Sequence, residues 1–196
     1  MDKKTQRLAA KAARSGMGEA AREAASAEIC RNLQKLPGIS EQKVIFSYMA
    51  LPQEADLSAF HAWAIERGIV LAFPVTKGNG IMEAYAPQWP CRWERDRYGI
   101  LIPPMDASRL ISPEEISLIL TPCVAFDEGC GRLGYGGGYY DRYFARCPQA
   151  IRLAIAFEAQ KISEVARDNY DVLMYGVLTE KALYGEIRRE CAEQMA

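Results

Sequence analysis

Short, unbroken apolar runs punctuate the chain at 44–49, 69–73, 118–122 and 151–157. Runs of this length, bounded by turn residues, predict strands buried on both faces, as in a parallel sheet. Between them the apolar residues recur at helical spacing. Ala25, Ile29, Leu33 and Leu36 make one stripe of a helix predicted over 19–36, which Pro37-Gly38 ends. Further helices are expected over 57–67, with Asp56 as N-cap, over 139–146 and over 158–166. Lys77-Gly-Asn-Gly80 reads as a turn into another strand over 81–85. Ser112-Pro-Glu-Glu115 has the form of a capping box that opens one short helical turn. Strands that alternate with helices predict an α/β fold: a single-domain, three-layer open sheet, mostly parallel, with helices on both faces. No internal repeat or low-complexity linker divides residues 1–196, and 181–196 is expected to be a polar tail.

Two stretches depart from this regularity. Residues 87–104 carry Trp89, Trp93 and four prolines without any period, an aromatic loop suited either to packing on the core or to bordering a flat ring. Residues 2–15 predict a helix on which Lys4, Arg7, Lys11 and Arg14, spaced by three, four and three, share one stripe. Such a stripe is either a solvated face or a cover over an anion held elsewhere.

Composition narrows the chemistry. A formal net charge of -1 argues against a general nucleic-acid binder. No apolar run approaches the ~20 residues of a membrane span and no basic-then-apolar leader opens the chain, so a cytoplasmic protein without a membrane partner is expected. Six cysteines lie scattered with no C-x-x-C pair, which indicates neither a disulfide frame nor a zinc site. His61 is the one histidine and is expected half-exposed on its helix. A Ser-His-Asp or Cys-His site would rest entirely on it, and both are set aside.

The densest chemical signal is Arg132-Leu-Gly-Tyr-Gly-Gly-Gly-Tyr-Tyr-Asp141, between a predicted strand and a predicted helix. Glycines there let backbone N–H groups converge on an anion, Arg132 adds a planar cationic fork, and Asp141 offers a carboxylate to a magnesium ion. It is neither a Walker A loop, lacking Gly-Lys-Ser/Thr, nor a dinucleotide fingerprint, since Tyr139 takes the third glycine position. Local chemistry alone leaves a phosphate cradle and a tight structural turn both open.

With Thr121-Pro-Cys-Val-Ala-Phe-Asp127 ahead of it, the whole stretch resembles the signature of the 5-formyltetrahydrofolate cyclo-ligase family, also called 5,10-methenyltetrahydrofolate synthetases. The resemblance runs from Lys3 to Glu180 and implies the same open α/β fold. It implies ATP contacts from Lys3, Lys4, Arg7 and Arg14 of the basic helix and from Arg132, Leu133, Gly134, Tyr135, Gly136, Gly137, Gly138, Tyr139 and Tyr140. It implies folate contacts from Met49, Glu54, Tyr135, Gly136, Gly137, Gly138 and Tyr139, and magnesium on Asp141 and Asp171. Arg132 and Asp141 are the implied catalytic pair. Two positions depart from the family pattern: Ile102 stands where glutamate is usual after Tyr98-Gly-Ile-Leu, and Tyr175 replaces an aspartate.

The implied reaction is ATP-dependent, magnesium-assisted ring closure of 5-formyltetrahydrofolate to 5,10-methenyltetrahydrofolate with release of ADP and phosphate, by a monomer whose partners are small molecules. Two alternatives stay open: a relative that uses ATP on another formyl or carboxyl substrate, and a non-catalytic nucleotide- or folate-binding module.

Overall fold

The computed structural model describes residues 1–96 and 99–186. Asp2 caps the first helix, accepting the Thr5 N–H at 2.7 Å, and α1 (Lys3–Ser15) runs to Gly16. After α2 (Glu19–Gln34) come β1 (Val44–Phe46), α3 (Ser58–Glu66), β2 (Val70–Gly78) and β3 (Ile81–Pro87). The aromatic stretch contributes the two-residue strands β4 (Glu94–Arg95) and β5 (Leu101–Ile102), then β6 (Ser108–Ile111). The chain continues through β7 (Leu118–Pro122), β8 (Ala125–Phe126), β9 (Arg132–Leu133), α4 (Tyr139–Phe144), β10 (Ile151–Ile155), β11 (Gly176–Leu178) and β12 (Leu183–Gly185).

The main sheet has the order β12-β11-β10-β7-β1-β2-β3-β6. Its inner strands β11, β10, β7, β1 and β2 pair in parallel, and β12, β3 and β6 join antiparallel at the two edges. The period of two sorts the apolar runs between two cores. Ile45, Leu118, Leu120 and Leu153 pack with Ile29 and Leu33 of α2 and Phe60 of α3, while Val44, Phe46 and Ile119 pack with Tyr143 and Phe144 of α4. This is the expected α/β fold, helices on both faces of a largely parallel sheet. Ser112 and Glu115 form the expected capping box around a single 3₁₀ turn.

Several local expectations fail, most of them for a tertiary reason. The predicted helix over 158–166 is one 3₁₀ turn, Glu158–Gln160. Gln160 spends its side chain on Phe157 N and on the Cys123 and Val124 carbonyls, and the Ile162 N–H goes to Phe126 O, so the backbone is drawn out instead of coiled. The expected polar tail is partly strand, because Leu183–Gly185 pairs along β11; Arg188, Arg189 and Glu190 lie outside the described residues. Asp56 is not the N-cap of α3; Leu57 is, and the Asp56 carboxylate holds Ser58 N at 2.9 Å instead. His61 is buried, not half-exposed, with its Nε2 2.8 Å from Ser47 Oγ and its ring against the edge of Phe73. For residues 87–104 the core-packing alternative holds for the tryptophans: Trp89 and Trp93 pack on Phe73 and on each other.

The stretch between strand and glycine loop also differs from a direct strand-to-helix turn. A hairpin of β8 and β9 intervenes, closed by Asp127, whose carboxylate accepts Gly131 N and Val165 N, each at 2.8 Å. Helix α1 docks on this hairpin. Ala10 packs with Val124, Ala125, Leu133 and Val165, and the Gln6 amide is hydrogen-bonded to Glu164 O and Ala166 N.

Candidate active site

Beyond the carboxyl ends of β1 and β7 lies a cavity of about 590 Å³, where open α/β sheets bind ligands. One end is built by the loop between β9 and α4. Leu133, Gly134, Tyr135, Gly136, Gly137, Gly138, Tyr139 and Tyr140 all line it. Gly136 has φ of 103°, a conformation that a side chain would strain. Arg142 secures the loop from outside, donating through Nη2 to Gly137 O at 2.6 Å and through Nε to Gly80 O at 3.0 Å.

Charge is concentrated at this end. The Arg132 side chain, only 3% exposed, donates to Asp141 Oδ1 at 3.0 Å and lies beside the rings of Tyr140 and Phe144. Arg7 reaches across from α1 and donates to Gly134 O at 2.8 Å. Lys3 donates to Asp168 at 2.7 Å and to Asp171. Partial burial works against the charge of Asp171, yet the Lys3 ammonium and the Asp168 N–H outweigh it and hold the carboxyl below its ordinary range. Burial likewise opposes the charge of Lys3, and the two aspartates overcome it, raising the ammonium pKa.

The opposite end is apolar. Met49, Leu51, Pro74, Met82, Ile100 and Ile102 form its walls, and the carboxylates of Glu54 and Asp96 stand among them. Glu54 accepts the Tyr135 hydroxyl at 2.6 Å and Leu51 N at 2.9 Å. Burial pushes its pKa up, with these two hydrogen bonds and Arg14 pulling the other way. Burial also raises Tyr135 and Tyr140, so both keep their protons at neutral pH.

The cavity therefore gathers every residue expected at the site except two. Lys4 is exposed on the far side of α1, and Arg14 is buried behind Tyr135 without lining the cavity. Periodicity alone could not separate them, because position along the stripe does not say how far the helix overhangs the loop. Residues the sequence reading passed over also line the wall, notably Tyr48, Thr76, Asp96 and Asp168. Asp168 had a signal in its spacing to Asp171; Tyr48 sits in a run that reads only as strand. Of the two departures from the family pattern, Ile102 faces the cavity, whereas Tyr175 lies over the Arg152 guanidinium at 4.7 Å and away from it. Tyr98 lies outside the described residues. Cys123 is no nucleophile, since complete burial drives its thiol up to about 12.

Asp141 and Asp171 suit a magnesium ion. Mg²⁺ takes one or two protein carboxylates and completes its shell with phosphate oxygens and water, and both acids line the same cavity as the glycine loop. Each is already paired with a cation, Arg132 or Lys3, so an incoming metal would have to compete with that partner for the carboxylate. Among the described residues no three acidic, histidine or cysteine side chains cluster into a closed metal cage.

An open α/β sheet with a glycine-rich loop and a largely apolar, carboxylate-bearing cavity beyond its strand ends is the arrangement in which open α/β folds bind small molecules. A profile of the 5-formyltetrahydrofolate cyclo-ligase family matches residues 1–180, and the chain belongs to that family. It is 26% identical over 144 residues to the Haemophilus influenzae 5-formyltetrahydrofolate cyclo-ligase, covering 70% of this chain and 76% of that one. It is 30% identical over 129 residues to a probable 5-formyltetrahydrofolate cyclo-ligase of Schizosaccharomyces pombe, covering 62% and 61%. Among solved structures, Aquifex aeolicus 5,10-methenyltetrahydrofolate synthetase superposes with a TM-score of 0.84 at 26% identity, over 96% of this chain and 94% of that one. The Mycoplasma pneumoniae synthetase, at 22% identity and a TM-score of 0.76, shares the fold. Among the described residues no helix is long and apolar enough to cross a membrane.

Proposed function

We propose that this chain closes 5-formyltetrahydrofolate to 5,10-methenyltetrahydrofolate at the expense of ATP. A formamide oxygen is a poor leaving group. Its attack on the γ-phosphorus of ATP forms an O-phosphorylated intermediate and releases ADP. The 10-nitrogen then adds to the activated carbon, inorganic phosphate departs with the former formyl oxygen, and the loss of the N10 proton leaves the methenyl bridge. The protein's share is alignment and charge neutralisation.

The glycine loop supplies backbone N–H groups to the phosphates, with Arg132, Arg7 and Lys3 as its cations. Asp141 and Asp171 would hold a magnesium ion, whose chemistry there would be to neutralise phosphate charge. At the other end the flat apolar walls of Met49, Met82 and Ile102 suit a pterin ring, and the carboxylate of Glu54 matches the N–H donors along its aminopyrimidine edge. Leu133, Tyr139 and Tyr140 close the junction between the two ends. The observation that carries this reading is that a single cavity joins the glycine loop to a buried carboxylate in an apolar pocket.

The test is near-ultraviolet absorbance of the protein with 5-formyltetrahydrofolate and magnesium, with and without ATP. Growth of the methenyl chromophore only with ATP supports the reaction. ADP formation without the chromophore moves the assignment to another formyl or carboxyl substrate, the direction in which Ile102 points. Neither product, from folded protein that binds ATP, makes it a binding module.

A further inference from the structure

Arg14 stands apart from the other cations of α1. Lys3 and Arg7 line the phosphate end of the cavity, while Arg14 is 5% exposed, does not border the cavity, and donates from Nη1 to the Tyr135 hydroxyl at 3.2 Å. That hydroxyl in turn donates to Glu54 Oε1 at 2.6 Å. The hydroxyl has one proton to give and lone pairs to receive with, so the direction is set: Arg14 donates in, and Tyr135 donates on to the carboxylate. Both hydrogen bonds are charge-assisted, the class that holds geometry best. Lys11, one turn earlier, lies 5.4 Å from the face of the Tyr135 ring, so the same helix grips the ring and its hydroxyl. Arg14 Nε has no hydrogen-bond partner among the described residues. A buried guanidinium left partly unsatisfied is expensive to keep as a mere packing group.

We propose that Arg14 is a positioning residue for the pterin end of the site, holding the Glu54 carboxylate in place and in charge through the Tyr135 hydroxyl. The inference rests on the folate reading of that end, and it reassigns Arg14 from the nucleotide to the folate. The physical need is plain. Glu54 is buried, and the groups that interact with it electrostatically besides Arg14, namely Tyr48 from the end of β1, Tyr135 and Tyr140 from the glycine loop and α4, and the thiol of Cys123 after β7, are all neutral. Arg14 is the cation that acts on it, lowering the pKa that burial raises. Helix α1 thus serves both ends: Lys3 and Arg7 reach the phosphates, and Arg14 acts through Tyr135 on the carboxylate.

Two measurements test this on the full chain. The first is titration of the protein with 5-formyltetrahydrofolate without ATP over a range of pH, for wild type, Arg14→Gln, Arg14→Lys and Tyr135→Phe, with MgATP affinity measured alongside. Arg14→Gln is expected to weaken folate binding about tenfold and to move the pH of half-maximal binding upward, with MgATP affinity unchanged. Arg14→Lys recovers most of the loss, and adding Arg14→Gln to Tyr135→Phe costs little more, because the relay is already cut. Loss of MgATP affinity with folate binding intact would return Arg14 to the nucleotide and overturn the proposal. The second measurement needs no ligand: a carbon-13 NMR titration of the Glu54 carboxyl in wild type and Arg14→Gln. An upward shift of its midpoint is expected, and an unchanged midpoint overturns the proposal. A wild-type protein that binds no folate would sink the folate reading by itself, leaving the NMR titration to decide whether Arg14 governs Glu54.

Discussion

The ammonium of Lys3, at the first residue of α1, is hydrogen-bonded to the carboxylate of Asp171, which lies in the loop ahead of β11. The acid assigned to magnesium thus carries an internal counter-ion, shared with Asp168. Under the proposed function, metal and ammonium would compete for one carboxylate, and an incoming γ-phosphate would offer Lys3 a second anion. Lys3→Met should therefore bind Mn²⁺ about fivefold more tightly than wild type in the absence of nucleotide, while turnover with ATP falls about a hundredfold. Electron paramagnetic resonance of free Mn²⁺ measures the first and the chromophore assay the second. Equal Mn²⁺ affinity in the two proteins would show that Lys3 does not guard the acid.

Asp141 gives a cleaner test of the phosphate end. Its partner is Arg132, and its side chain is partly open to solvent, so Asp141→Asn keeps shape and much of the hydrogen bonding. Turnover is expected to drop by ~10²–10³ with the melting temperature nearly unchanged. Wild-type turnover in the folded variant would remove Asp141 from the mechanism.

Asp127 belongs to the most recognisable part of the sequence, yet its role here is architectural. Both carboxylate oxygens hold buried backbone N–H groups, Gly131 and Val165, that nothing else would satisfy. Asp127→Ala should cost about 3 kcal/mol, as two stranded donors imply, read as a lower urea midpoint. A loss below a few tenths of a kcal/mol would contradict the clamp.

His61 sets a pH dependence of stability. Burial lowers its pKa from 6.5 to about 4 in the folded chain, with the charge of Asp56 opposing. A depressed folded pKa means the unfolded chain takes up the proton first, so stability is full above the unfolded value and drains as pH falls toward 4. Between about pH 7.5 and pH 5 the loss should be about 2 kcal/mol. Urea unfolding of wild type and His61→Leu checks this, the variant losing the histidine part of the slope; parallel slopes would exclude His61 as the source.

The glycine loop and its charged neighbours were legible because their chemistry is local: glycines, Arg132 and Asp141 fall within one short stretch and must end up together. Strands were legible because apolar runs such as Leu118 to Leu120 have one way to be buried in a sheet. What escaped was decided by distant partners. Gln160 reads as a helix former until the Cys123 and Val124 carbonyls claim its amide. His61 looks like a surface histidine until Ser47 and Phe73 enclose it. Arg14 is chemically indistinguishable from Arg7 along the stripe; only the seat of α1 on the β8–β9 hairpin decides that one meets the Gly134 carbonyl and the other the Tyr135 hydroxyl of the same loop.

Arg142 ties the glycine loop to Gly80, at the tip of the β2–β3 turn. Gly80 has φ of 74°, and a Cβ there would stand 2.4 Å from an Arg142 nitrogen. The outer turn is consequently a remote adjustment screw for the loop. A substitution at Gly80, which does not line the cavity, would act on the shape of the glycine loop through Arg142, and a protein engineer seeking to loosen or tighten that loop has a place to work that leaves every cavity side chain untouched.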